Sequence, residues 1–166
     1  EVENSYREAY PVDDPVRIDD LRLDALFGGL NTFNVLVTAP ERDGLYDPTL
    51  LRSIDELQQY IQRLPGVGRT QSIVDYVKQM NVALNGGDES YRVIPDSREA
   101  VAQLFLLYSG DPDDFDAVVD HPYQRAVVRA FARDDHAWTV ARYFAICDFS
   151  TTQRCAAYFQ SESSLA

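Results

Sequence analysis

The sequence predicts an α+β fold built from a strand, a helix, a strand, an inserted helical region, a third strand and a final helix. Extended patterns rich in β-branched and aromatic residues occur at 33–39, 67–73 and 123–133. The first two flank a helical pattern at 47–64, which makes a β-α-β unit. Helical patterns then fill most of 74–121. No segment recurs at a period of about 20 to 50 residues, which argues against a solenoid or a propeller.

Composition is that of an ordinary folded domain. The 166 residues suit one domain, and 45% of them are apolar, 11% aromatic and 25% charged. The 27 acidic residues outnumber the 15 basic ones, which gives a net charge of −12. Because such a surface repels phosphate backbones, we expect no nucleic-acid partner. The longest apolar runs, such as 101–108, fall far short of the roughly 20 residues that cross a bilayer.

Residues 1–32 are predicted to form an N-terminal segment and a short helix, ahead of the main domain at 33–166. Pro11 and Pro15 interrupt the polar start of the chain. The helix is expected to end at 28–29, because glycine adopts the left-handed conformation of a helix C-terminus. Its apolar stripe consists of Ile18, Leu21, Leu26 and Phe27.

The helix of the β-α-β unit has the clearest start and stop signals. Asp47 suits its N-cap and Pro48 its first turn, while Pro65 and Gly66 stop it. Its apolar residues alternate at spacings of four and three, which predicts one buried stripe. The stripe consists of Leu50, Ile54, Leu57, Ile61 and Leu64.

The inserted region contains three predicted helices. One covers 75–84, the second runs from a cap at 96–97 to Tyr108, and a short third one covers 111–120. After the third strand a long helix is expected at 136–158. This order predicts most of a ferredoxin-like split β-α-β sandwich with an inserted helical subdomain, without a recognisable last strand.

Titratable side chains form no recognisable catalytic or metal site. Five aspartates cluster at 111–120, but in a calcium loop begun at the first of them Asp116 would replace the required Gly and Pro122 the required Glu. His121 and His136 lie at opposite ends of the predicted third strand, so a joint acid-base site is not expected.

Cysteines and glycines add no site. Cys147 and Cys155 lie eight residues apart on a predicted helix, roughly 12 Å at 1.5 Å per residue, which is beyond the reach of a disulfide. Neither lies in a C-x-x-C pattern, and the sequence has no phosphate loop and no G-x-S-x-G motif. We therefore expect no enzyme activity, no cofactor and no metal.

Apolar side chains on two predicted helices are candidates for contact with a hydrophobic ligand or a neighbouring domain. Packing into the core is the alternative interpretation of the same residues. The candidates are Leu104, Phe105, Tyr108, Tyr143 and Phe144.

Several short motifs follow one another along the chain. A P-x-D-D-P segment at 11–15 leads to F-G-G at 27–29, and D-P at 47–48 opens the next helix. The further motifs are P-G-V at 65–67, a Ser-Ile pair at 72–73, Lys78 with Asn81, and Y-R-V-I-P at 91–95. In order and spacing, residues 6–133 resemble the extracytoplasmic porter domain of RND-superfamily exporters, in the branch that includes the MMPL-type lipid transporters.

This resemblance implies that the chain is part of a proton-driven membrane exporter of lipids or other hydrophobic molecules. The domain would lie on the periplasmic face of a bacterial inner membrane and guide cargo. Its partners would be the membrane helices and the sister porter domain of the parent protein, with a homo-oligomer as a further possibility. The proton-relay residues would lie in membrane helices outside this chain. From residue 137 the family pattern predicts a helix, a fourth strand and a membrane helix, whereas 149–166 has no convincing strand pattern.

Two other functions stay open on the sequence alone. One is a stand-alone soluble α+β binding or assembly module, and the other is an enzyme that uses two carboxylates in different environments. An apolar cleft open to solvent would favour the exporter, whereas a closed core with one flat apolar patch would favour the module. Because the chain begins at Glu1, without a Met or a secretory signal, we expect it to be a segment of a longer protein.

Overall fold

The computed structural model describes residues 6–108 and 117–133. Within them the chain forms both helices and an antiparallel sheet, which confirms the α+β class. Short 3-10 helices occur at Tyr6–Ala9, Gly44–Tyr46 and Glu89–Tyr91. The longer elements are α1 (Pro15–Phe27), β1 (Asn31–Thr38), α2 (Pro48–Gln62), β2 (Val67–Gln71), α3 (Ile73–Leu84), α4 (Arg98–Tyr108) and β3 (Arg125–Ala132).

Among the described residues, the last strand along the chain is the central strand of the sheet. The strand order is β1-β3-β2, and β3 is antiparallel to both neighbours. Val35 pairs with Val128, and Gln71 pairs with Arg129. Since β1 and β2 both run opposite to β3, they run parallel to each other on its two sides.

One face of the sheet is covered and the other is partly open. Residues on the covered face alternate along β1 and β3, as expected for strands with one buried face. They include Phe33, Val35, Val37, Ala126, Val128 and Ala130. On the other face Leu36 is 44% exposed, and the Arg69 guanidinium lies 4.6 Å from the ring centroid of Phe131.

The sequence signals of α2 correspond to the observed helix. Asp47 is the N-cap, and its Oδ1 accepts a hydrogen bond from the Thr49 backbone N–H at 2.8 Å. Ile54 and Ile61 are buried in the core, as the apolar stripe predicts.

α3 begins two residues earlier than the sequence suggested, because Ser72 starts a capping box. Its hydroxyl accepts from the Val74 backbone N–H at 3.1 Å, while Asp75 Oδ2 accepts from the Ser72 N–H at 2.9 Å. The same hydroxyl donates to Gln58 Oε1, and Gln58 Nε2 donates to Asp75 Oδ2 at 2.8 Å. Since Gln58 belongs to α2, these bonds fix the start of α3 on α2.

The end of α1 packs directly against two strands. Gly28 ends the helix with φ +77°, in the left-handed region that glycine favours. A Cβ added at Gly68 of β2 would lie 1.8 Å from the Gly28 carbonyl oxygen, and one at Gly29 would lie 2.6 Å from the Ala132 backbone. The backbones approach closely only because side chains are missing at these positions.

One expectation needs correction. The short helix predicted at 111–120 is wrong over its described end, where 117–118 form a turn and Val119 pairs with Ala126 in a bridge. Asp120 favours this turn, because its Oδ1 accepts backbone N–H groups of Gln124 and Arg125 at 2.8 Å each. Three of the four residues of the predicted α1 stripe, Leu21, Leu26 and Phe27, are exposed. The remainder of that short helix and the helix predicted at 136–158 lie outside the described residues.

Candidate functional site

The candidate cargo residues of α4 lie in the core. Leu104 is 4% exposed and Phe105 is 1% exposed. The ring of Phe105 meets the rings of Tyr46 and Tyr123 edge-on, at centroid distances of 5.3 and 5.4 Å. These contacts hold α4 against the turn that leads into β3.

Other apolar side chains of α4 are accessible. Leu106 is 72% exposed and Leu107 is 54% exposed, on the side of the helix away from the core. Tyr108 ends the helix, and its side chain is not described. Tyr143 and Phe144 lie outside the described residues.

A groove of about 340 Å³ opens between the start of α2 and the start of α4. The guanidinium of Arg98 donates to the Asp43 carbonyl at 2.9 Å and lies 5.9 Å from the ring centroid of Tyr46. The groove is lined by Pro40, Glu41, Gly44, Asp47, Thr49, Leu50, Ser53 and Arg98.

Most polar groups of this groove are engaged by the protein itself. Asp47 caps α2, and the Ser53 hydroxyl donates to the Thr49 carbonyl at 3.1 Å. Arg98 is held by the carbonyl and the ring described above. The lining is thus mixed in polarity, unlike the apolar cleft that a hydrophobic cargo would select.

The pKa shifts found among the described residues follow from burial, caps and one ion pair. Burial raises the pKa of the Tyr46 hydroxyl, and Tyr123 and Asp43 add to the effect while Arg98 opposes it. Hydrogen bonds from Ser90 lower the pKa of Asp88. The bond between Glu89 and Arg92 lowers the pKa of that carboxyl and raises that of the guanidinium. Asp88, Glu89 and Arg92 stabilise the surface loop between α3 and α4.

No group of three or more His, Cys, Asp or Glu side chains is arranged to hold a metal ion within residues 6–108 and 117–133. Asp120, from the predicted acidic cluster, binds the backbone of its own turn. His121 lies exposed in the same turn. His136, Cys147 and Cys155 lie outside the described part of the chain.

A cluster of charged side chains anchors α1. Arg7 Nε donates to Asp20 Oδ2 at 2.6 Å, and its Nη2 donates to Asp24 Oδ1 at 2.7 Å. Its Nη1 donates to the Arg133 carbonyl at 2.7 Å, just beyond the end of β3. Asp24 also accepts from the Leu30 backbone N–H at 3.2 Å. Sequence patterns gave no signal for this cluster, because its members are far apart along the chain.

The side of α1 next to this cluster and the turn after the helix carry exposed apolar residues. Asp24 is the buried residue of this helix. The exposed residues on this side, which we call the α1 surface, are Val16, Leu23, Leu26, Phe27 and Leu30. Leu21 is also exposed, at 48%, but lies on a different side of the helix. The exposures of the α1 surface range from 36% at Leu30 to 79% at Leu26. Of these, Leu26 and Phe27 belong to the apolar stripe that the sequence predicted for this helix.

None of the helices in the described segments is long and apolar enough to span a bilayer. Comparison of the chain with protein-family models, with curated proteins and with solved structures found no match.

Proposed function

We propose that the chain is the extracytoplasmic domain of a proton-driven RND-type exporter in the MMPL-type branch. The observation that carries the proposal is the agreement between the family-like motifs and the boundaries of the elements. Asp47 and Pro48 open α2, the P-G-V motif at 65–67 joins α2 to β2, and the Ser-Ile pair at 72–73 opens α3. F-G-G at 27–29 forms the close turn between α1 and β1.

The sheet topology also supports this assignment. β1, α2 and β2 form a β-α-β unit whose strands are separated by the antiparallel β3, an order compatible with three of the four strands of a ferredoxin-like split β-α-β sandwich. α3 and α4 are inserted between β2 and β3, within the helical subdomain expected at about 74–121. In such a sandwich a further helix and a fourth strand follow β3.

In this proposal the domain guides lipids or other hydrophobic molecules on the periplasmic side of the inner membrane. It contacts membrane helices and a sister porter domain of the same parent protein. Since Leu104 and Phe105 fill the core, the side chains of α4 suited to these contacts are Leu106 and Leu107. The domain has no catalytic activity and binds no cofactor, because proton transfer takes place in the membrane helices.

A stand-alone binding or assembly module is the second candidate. The α1 surface favours it, because a closed core with one exposed apolar patch is typical of proteins that associate through that patch.

Sequencing the parent gene on both sides of this segment tests the first proposal. We expect an apolar run of roughly 20 residues shortly before position 1, and several such runs after position 166. The exporter proposal fails if neither flank encodes such a run. The assembly module would then become the better hypothesis.

A further inference from the structure

α1 has the reverse of the usual arrangement of a surface helix. Such a helix normally turns its apolar side to the core and its charges to solvent. Here Asp24 is 6% exposed and is bound to Arg7, whereas Leu26 on the other side is 79% exposed. Leu23 and Phe27 are also about half exposed, at 45% and 55%.

Five of the exposed apolar residues lie along one side of α1 and the turn after it, whereas Leu21 is exposed on a different side. Val16, Leu23 and Phe27 are spaced by seven and four residues, which places them on one side of a helix with 3.6 residues per turn. Leu26 lies three residues after Leu23 on the same helix, and Leu30 follows the end of α1 at Phe27. Single exposed apolar residues are common, but a contiguous apolar patch is typical of a surface that packs against another segment or another molecule.

The chain leaves the sheet beside this helix. β3 ends at Ala132, and the carbonyl of the next residue, Arg133, accepts a hydrogen bond from Arg7 at 2.7 Å. The same Arg7 side chain binds Asp20 and Asp24 of α1. The Arg7 side chain therefore connects α1 with the backbone at Arg133, just after β3.

The sequence that follows is strongly apolar. Ten of the thirteen residues at 137–149 are apolar, and its charged residues are Arg142 and Asp148. As a helix this stretch would be roughly 20 Å long, which equals the length of the 13-residue α1. The three residues at 134–136 can bridge up to about 10 Å.

We propose that residues 137–149 of this chain pack on the α1 surface and cover its leucines and Phe27. The partner is supplied by the chain itself, at the position where it leaves β3. With a net charge of −12, the protein is poorly suited to bring the α1 surface to an anionic membrane surface. The proposal is independent of the transport function.

The single tryptophan of the protein reports on this contact. Trp138 lies in the covering stretch, so its fluorescence measures whether that stretch is shielded from water. The experiment compares the emission maximum and acrylamide quenching of Trp138 in the full chain and in the double variant Leu23→Asp/Leu26→Asp. Leu84→Asp is the matched control, because Leu84 is also exposed, at 58%, but lies at the end of α3. Far-UV circular dichroism verifies that each variant is folded, and Leu26→Ser replaces the double variant if that one is not.

We expect blue-shifted, weakly quenched emission in the native protein and in the control. The α1 variant should show red-shifted emission and several-fold stronger quenching. The proposal is overturned if Trp138 is as accessible as a free tryptophan in the native protein, or if its emission is the same in the α1 variant. It is also overturned if the shielding disappears on dilution, which would identify a second copy as the cover. Shielding that requires added phosphatidylcholine vesicles would identify lipid instead.

Discussion

Replacement of Gly68 by Ala tests the close contact between α1 and the sheet. The new Cβ would lie 1.8 Å from the Gly28 carbonyl oxygen, whereas ordinary contacts of carbon atoms begin near 3.5 Å. The two segments would have to separate by about 1.7 Å. Both atoms at the clash are fixed by the backbone, so no side-chain rotation relieves it. We expect the free energy of unfolding to fall by about 3 kcal/mol, the upper part of the range for overpacked sites.

Gly86→Ala provides the matched control. Gly86 has φ +71° but no atom within 4 Å of an added Cβ, so this variant bears only the cost of a left-handed alanine, about 1 to 2 kcal/mol. Gly68 is not among the residues with positive φ, so its cost is steric alone. The pair thus separates steric from conformational effects of the same substitution.

Urea unfolding followed by far-UV circular dichroism measures both variants. The m-value should stay close to that of the native protein, since neither change alters the surface exposed on unfolding. A loss below about 0.5 kcal/mol at Gly68, or a loss smaller than at Gly86, would refute the close packing of Gly28 on β2.

Three further predictions follow from the described contacts. Asp24→Ala should lower the free energy of unfolding by about 2 to 3 kcal/mol, because Arg7 and the Leu30 N–H lose a charged partner. Asp19→Ala, which removes an exposed ion pair, should change it by less than about 1 kcal/mol. Chemical denaturation of the two variants measures this difference. Gln58→Ala should lower the free energy of unfolding by about 2 kcal/mol, since it removes the partner of the buried Ser72 hydroxyl. Thermal unfolding should show a much smaller loss of stability for Gln62→Ala, because Gln62 is exposed. Burial raises the pKa of Tyr46 in the folded state, so its stabilising contribution is complete below pH about 10 and is lost as pH rises through the folded pKa. Tyr46→Phe should therefore flatten the alkaline decline in stability, and an unchanged pH profile would contradict this assignment.

Local signals predicted the elements well where the residues that decide them are close in sequence. Asp47 and Pro48 fix the start of α2 through a hydrogen bond to Thr49, only two residues away. The strand patterns at 33–39 and 123–133 agree with β1 and β3 to within two residues at each end. Such signals depend on residues a few positions apart, so they can be recognised in a single sequence.

Contacts between distant residues were not predictable in this way. The burial of Asp24 depends on Arg7, 17 residues earlier, and the role of Gly68 depends on the path of the chain at Gly28. The apolar face of α4 could be predicted from the sequence, but whether that face packs into the core or contacts a ligand could not. The periodicity that selected Leu104 and Phe105 is the signature of a core-facing stripe, and the structure places both in the core. Whether Leu106 and Leu107 contact cargo is a prediction that the fold leaves untested.

The central position of β3 also determines the order in which the sheet can assemble during synthesis. β1 and β2 are made first, but neither is the other's neighbour, and each pairs with residues of β3. Until Arg125–Ala132 leaves the ribosome, Val35 has no Val128 to face, and β1 lacks the strand that pairs with it along its whole length. Such long-range pairing makes folding slow and exposes strand edges to association with other chains. A nascent chain that stalls before β3 is therefore the form of this protein most prone to aggregate.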